Sequence, residues 1–167
     1  MKIEDFQKQP RGPWLFDWWV GRQLVTTPLG LFSVTFQMLG ENDSNPPDDE
    51  MVKRASELVS YTESHGEYIL EIVYGHYLLA AEDADWLENC DVPRGLTRQR
   101  IADYVREDRS LVVARHLGCD QPYNSSIYVV PVWDEEHALT LHFRDGAIVA
   151  ANGSQFELEA GVFRWVD

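Results

Sequence analysis

The sequence predicts an α+β fold, an antiparallel sheet ending in a C-terminal β-meander, with two long helices and one short helix packed on one face. Three observations carry this reading. Residues 31–38 alternate apolar and polar side chains. Residues 51–80 repeat apolar positions at helical spacing. The C-terminal stretch places Asp145-Gly146 and Asn152-Gly153 between short apolar runs.

The N-terminal third reads as strands. Residues 16–20 are aromatic and β-branched, Gly21-Arg22 offers a turn, and residues 24–27 extend to the break at Pro28. In residues 31–38, Phe32, Val34, Phe36 and Met38 share one parity and Ser33, Thr35 and Gln37 the other. Period-two alternation marks a half-buried strand.

Residues 40–47 form the clearest loop and prepare a helix. Asn45 or an adjacent aspartate suits the N-cap, and Asp48, Asp49 and Glu50 meet the positive end of the helix dipole. Met51, Val52, Ala55, Leu58 and Val59 then recur on one face. His65-Gly66 interrupts the run, as a kink or as a short turn. Ile69, Ile72, Val73, His76, Tyr77 and Ala80 define the face of a second helix. Thr97 suits the cap of a short third helix from Arg98 to about Arg106.

Strands are expected at residues 111–116 and 127–133, then at 139–143, where Leu139, Leu141 and Phe143 alternate with polar residues. Asp145-Gly146 signals a two-residue hairpin, because both central positions of such a turn need positive φ. Asn152-Gly153 repeats the signal, and strands follow around Phe156 and Val162.

At 167 residues the chain reads as a single domain, 1–167. Aromatics reach 12%, enough apolar area to oppose disorder. Lys+Arg number 14 against Asp+Glu 28, a net charge of −14. Such a surface repels phosphate backbones and anionic lipid, so neither nucleic acid nor membrane is expected as a partner. A basic protein partner or a bound cation suits it better, although excess acid also serves solubility alone. The N-terminus lacks the apolar core of a secretory signal and no run reaches membrane-spanning length. Cys90 and Cys119 stand far apart without a C-x-x-C pattern, which fits reduced thiols and a cytoplasmic setting.

Phosphate-loop, dinucleotide, nucleophile-elbow and zinc-protease motifs are all absent from the sequence. No catalytic residue and no cofactor is therefore expected. The densest polar segment is Asp134-Glu135-Glu136-His137. Carboxylates and an imidazole at this density suit a divalent metal or acid–base work, with Asp134, Glu136 and His137 as the ligand candidates. Strand parity divides them. Carried back from Leu139, it sends Trp133, Glu135 and His137 to the core side and Asp134 and Glu136 outward with Thr140, His142 and Arg144. Glu136 and His142 then share a face but lie about 20 Å apart along an extended strand. A structural junction between strands competes with a partner-binding edge formed by Trp133, Asp134, Glu136 and His142. His76 reads as a satisfied core histidine, and Tyr74 and Tyr77 as packing. Trp14, Trp18 and Trp19 read as core or rim residues, with a binding surface as the alternative.

The segment Trp133, Asp134, Glu136, His137, followed by Arg144-Asp145-Gly146, resembles a bacterial family of uncharacterised domains with a Trp-Asp-x-Glu-His-Gly segment. The helix at residues 67–77 is also similar, so the resemblance spans about residues 30–153. Ala138 stands where the family has glycine, which matters if positive φ is needed there. The resemblance implies no activity. Such domains look like small immunity and accessory proteins of bacterial toxin systems. Two functions are therefore carried forward: a non-enzymatic, protein-binding acidic domain, and a small metal-binding domain or metal-assisted hydrolase built on residues 134–137.

Overall fold

The computed structural model describes residues 1–9, 17–39, 45–82, 87, 90–117, 119–134, 138–152, 156–159 and 162–165. Among the described residues, nine strands form one sheet in chain order: β1 (Phe6–Lys8), β2 (Asp17–Thr27), β3 (Gly30–Met38), β4 (Ser110–Arg115), β5 (Tyr123–Val129), β6 (Leu139–Arg144), β7 (Ala147–Asn152), β8 (Phe156–Glu159) and β9 (Val162–Trp165). Neighbours are antiparallel except β3 and β4. A parallel pair needs a long crossover, and α1 (Asp49–Ser64) and α2 (Gly66–Glu82) supply it. The fold is α+β, as the alternation and turn signals indicate.

Register assembles the core. Phe36 lies beside Val113, Leu111 beside Ile127, and Ile127 beside Leu141. All five are buried, with Met51, Ala55 and Leu58 of α1 in the same cluster. Because side chains alternate across a strand, this one parity builds a continuous apolar face from β3 to β6.

Several elements follow their local chemistry closely. Asp48 caps α1, its Oδ1 accepting from the Met51 amide at 2.9 Å. His65 closes α1 and separates it from α2. Asp145 and Gly146 have φ of 53° and 82°, the paired positive values a tight hairpin demands.

Other expectations are corrected. Gly21 begins no turn: β2 runs through it, with an irregular register between Val20 and Leu24. A Cβ at Gly21 would meet the Phe6 ring at 2.8 Å, so the glycine admits close approach of β1. The short third helix is a 3-10 segment, Arg98–Tyr104. β5 ends at Val129 rather than at Trp133. Pro131 cannot donate to a ladder, and Val132–Asp134 form a 3-10 turn. Trp14 and Gly153 lie outside the described residues. Among those described, no helix is long and apolar enough to cross a membrane.

Candidate functional site

The 3-10 turn decides where Trp133 and Asp134 go. The Asp134 amide donates to the Pro131 carbonyl at 3.0 Å, and the Ala138 amide donates to the Asp134 carbonyl at 3.1 Å. Residues 132–134 are therefore coiled, and strand parity does not carry back to them from Leu139. Trp133 is 1% exposed, as parity expected, but Asp134 is 4% exposed where parity sent it outward. Glu135, Glu136 and His137 lie outside the described residues. Trp133 and Asp134, two of the binding-surface candidates, are thus both buried. Among the described residues no three His, Cys, Asp or Glu side chains converge as a metal cluster.

What Trp133 and Asp134 meet is His76. The apolar stripe of α2 carries this histidine into the core, where it is 0% exposed. The Trp133 indole N–H donates to its Nδ1 at 3.0 Å. An acceptor Nδ1 requires a neutral ring protonated on Nε2. That nitrogen lies 3.6 Å from Asp134 Oδ2. Burial pushes the imidazole down to about 3, which agrees with the neutral tautomer that the indole bond demands.

Tyr77 completes the packing, its ring edge-on to Trp133 at 5.4 Å. Its hydroxyl donates to the Pro93 carbonyl at 2.8 Å and accepts from the Leu96 amide at 2.9 Å. Cys90 donates its thiol to the Trp133 carbonyl at 3.7 Å. The array thus ties α2, the connection around 90–96 and the turn before β6 to one another. Buried polar groups held this way fix a unique arrangement of the core.

A second polar knot lies at the end of the parallel pair. Arg115, the last residue of β4, is 5% exposed. Its guanidinium donates to Asp48 Oδ2 at 2.6 Å and to the Asn45 carbonyl at 3.4 Å. Tyr123 opens β5 and donates its hydroxyl to the same Oδ2 at 3.0 Å. Burial alone would raise the Asp48 carboxyl, but the Met51 amide, Arg115 and Tyr123 outweigh it and hold it below the usual value. Burial and Asp48 both push the Tyr123 phenol up. The N-terminus of α1 is therefore capped from within, its positive end answered by the protein's own carboxylate.

An open cleft of about 960 Å³ separates α1 from the β6–β7 turn. Arg54, Glu57 and Tyr61 wall one side and Ser125, Phe143 and Arg144 the other. His142, a surface candidate, is half-buried and bonds Asn152 Oδ1 at 2.6 Å.

Residues 4–157 match the family described as Domain of unknown function (DUF6985). The chain belongs to that family. No curated protein and no solved structure matches it. Membership brings no activity with it, so function in this DUF6985 chain has to be argued from its own side chains. Local sequence could not show the meeting of Trp133 with His76, since the two stand 57 positions apart. The one usable signal was a histidine on an otherwise apolar helix stripe. Arg115 and Asp48, 67 positions apart, gave none.

Proposed function

We propose that this DUF6985 chain is a non-catalytic binding domain, immunity-like or accessory in kind, whose acidic helix layer receives a basic protein partner. The distribution of charge carries the reading. Between residues 49 and 82 there are seven acidic side chains and two basic ones. Asp49, Glu57, Glu63, Glu67, Glu71 and Glu82 are exposed. Both cations of the segment are already engaged within α1, Arg54 with Glu50 at 2.7 Å and Lys53 with Glu57 at 3.9 Å. Arg98 pairs with Glu67 and Glu71 at 2.7 Å each, yet the layer keeps an acidic excess. A surface predominantly of one sign speeds encounter with the opposite sign and suppresses like-charged partners. The burial of Trp133, His76 and Asp134 supports the same reading, because the first carboxylate of the densest polar segment and the tryptophan before it lie in the core. The cytoplasm is the proposed setting, where reduced thiols persist.

The test is capture on the immobilised chain, with products of neighbouring genes as candidates, at low and at high salt. A basic protein retained at low salt and released at high salt is the expected result. No retention at low salt, or retention that salt leaves unchanged, overturns the proposal.

A further inference from the structure

The floor of the cleft between α1 and the β6–β7 turn carries an unspent hydroxyl. Ser125 of β5 lies in register between Val113 of β4 and Phe143 of β6, two core residues, so it faces the helices. It lines the cleft and is only 2% exposed. Its side chain bonds to no described residue. A buried hydroxyl without a partner costs free energy that a ligand atom in the cleft would recover.

The walls around it suit a cation. Glu50, Arg54, Glu57 and Tyr61 recur along the face of α1 that borders the cleft. Arg54 is spent on Glu50 at 2.7 Å and on the Tyr123 ring at 5.4 Å. Lys53 reaches Glu57 only at 3.9 Å, with both side chains more than half exposed, and such a pair contributes little. Asp145, across the cleft on the β6–β7 turn, is exposed and has no ion pair among the described residues. Arg144 also borders the cleft, but alternation from Phe143 turns its side chain to the other face of the sheet. Within the cleft the Tyr61 and Phe143 rings meet at 5.0 Å. Aromatic rings flanked by carboxylates receive a guanidinium by stacking and by charge together.

Taking the partner to be basic, as proposed above, we infer that this cleft seats one of its arginine side chains. The guanidinium enters between Glu57 and Asp145, packs on Tyr61 and Phe143, and donates an N–H to Ser125 Oγ. Glu63, Glu67 and Glu71 of the helix layer draw the partner in, and the cleft fixes its position. Interfaces commonly concentrate their energy in such anchors.

The intact chain is titrated with N-acetyl-arginine amide and followed by amide NMR. Saturable shifts at Tyr61, Ser125 and Asp145 are expected. N-acetyl-citrulline amide, neutral and of nearly the same shape, binds about fivefold more weakly or worse. Ser125→Ala, which removes only the acceptor, weakens the arginine probe by about threefold or more. The double variant Glu57→Gln, Asp145→Asn weakens it by about fivefold or more. Glu71→Gln, outside the cleft, leaves it unchanged. Absence of saturation, shifts away from the cleft, smaller losses, or equal binding of the citrulline probe overturns the inference. Salt-sensitive capture of a partner that Ser125→Ala and the double variant leave intact would overturn the anchor alone. Absence of capture with the arginine probe still seated would overturn the acidic layer alone.

Discussion

The indole N–H of Trp133 donates to Nδ1 of His76 across 3.0 Å, with both side chains buried. The two residues join the turn before β6 to the middle of α2. Trp133→Phe removes the donor and leaves a buried imidazole nitrogen without it. Losing a buried partner costs on the order of 2 kcal/mol. His76→Leu should cost a similar amount through the stranded indole, and the double variant less than the sum. Urea unfolding of the four proteins is expected to give a coupling of about 1–2 kcal/mol. Additive losses would mean that the bond contributes nothing specific.

His76 also sets a pH dependence. Its folded value, about 3, lies below the 6.5 of an unperturbed histidine. Between the two the unfolded chain binds a proton that the folded chain refuses. This contribution is therefore complete above pH 6.5 and is lost as pH falls toward 3. His76→Asn keeps an acceptor for the indole and removes the titration. Its stability should fall less steeply than wild type across that window, by up to about one proton in slope. Parallel stability curves from urea titrations at several pH values would show that His76 does not titrate as described.

Ala138 holds φ of 60° while 2% exposed. An L-residue with a side chain pays a steric penalty in that region, and glycine does not. Ala138→Gly should therefore stabilise the fold by about 0.5–1 kcal/mol, after allowing for the greater freedom of glycine in the unfolded chain. A rise in the denaturant midpoint at constant m-value is the expected reading.

Asp48 serves three partners: the α1 amide of Met51, Arg115 and Tyr123. Asp48→Ala removes the cap and leaves Arg115 buried without its carboxylate. Since the Asp48 side chain is 37% exposed, solvent moderates the loss. A destabilisation of about 2 kcal/mol is expected. Asp48→Asn keeps the cap and should lose less, and Tyr123→Phe about 1 kcal/mol. Thermal unfolding of the three variants ranks them. Equal losses for Asp48→Ala and Asp48→Asn would assign the whole effect to the charge.

The sheet was legible where local chemistry is decisive. Alternation around Phe36 and the Asp145-Gly146 pair are properties of a few adjacent residues, and both held. β1 escaped notice because three residues carry no period. The extension of β5 to Trp133 failed at Pro131, where a missing N–H ends the ladder and the chain coils. The segment from Asp134 to His137 drew attention through its density of acid and imidazole. Density says nothing of direction, and only tertiary structure shows that Asp134 turns inward to His76. The pairing of β3 with β4, and with it the place of Arg115 beside Asp48, depends on a crossover of two helices that no local pattern encodes.

The central claim is that Trp133 and Asp134 lock the fold instead of forming a reaction centre. Melting temperature across titrations of Zn²⁺, Mn²⁺, Mg²⁺ and Ca²⁺ tests it most directly, because an ion bound only by the folded state raises that temperature by mass action. The expected curves are flat for wild type and for Asp134→Asn alike, with the variant offset to lower temperature. A metal-dependent rise in wild type that Asp134→Asn abolishes would contradict the lock and restore the segment as a metal site.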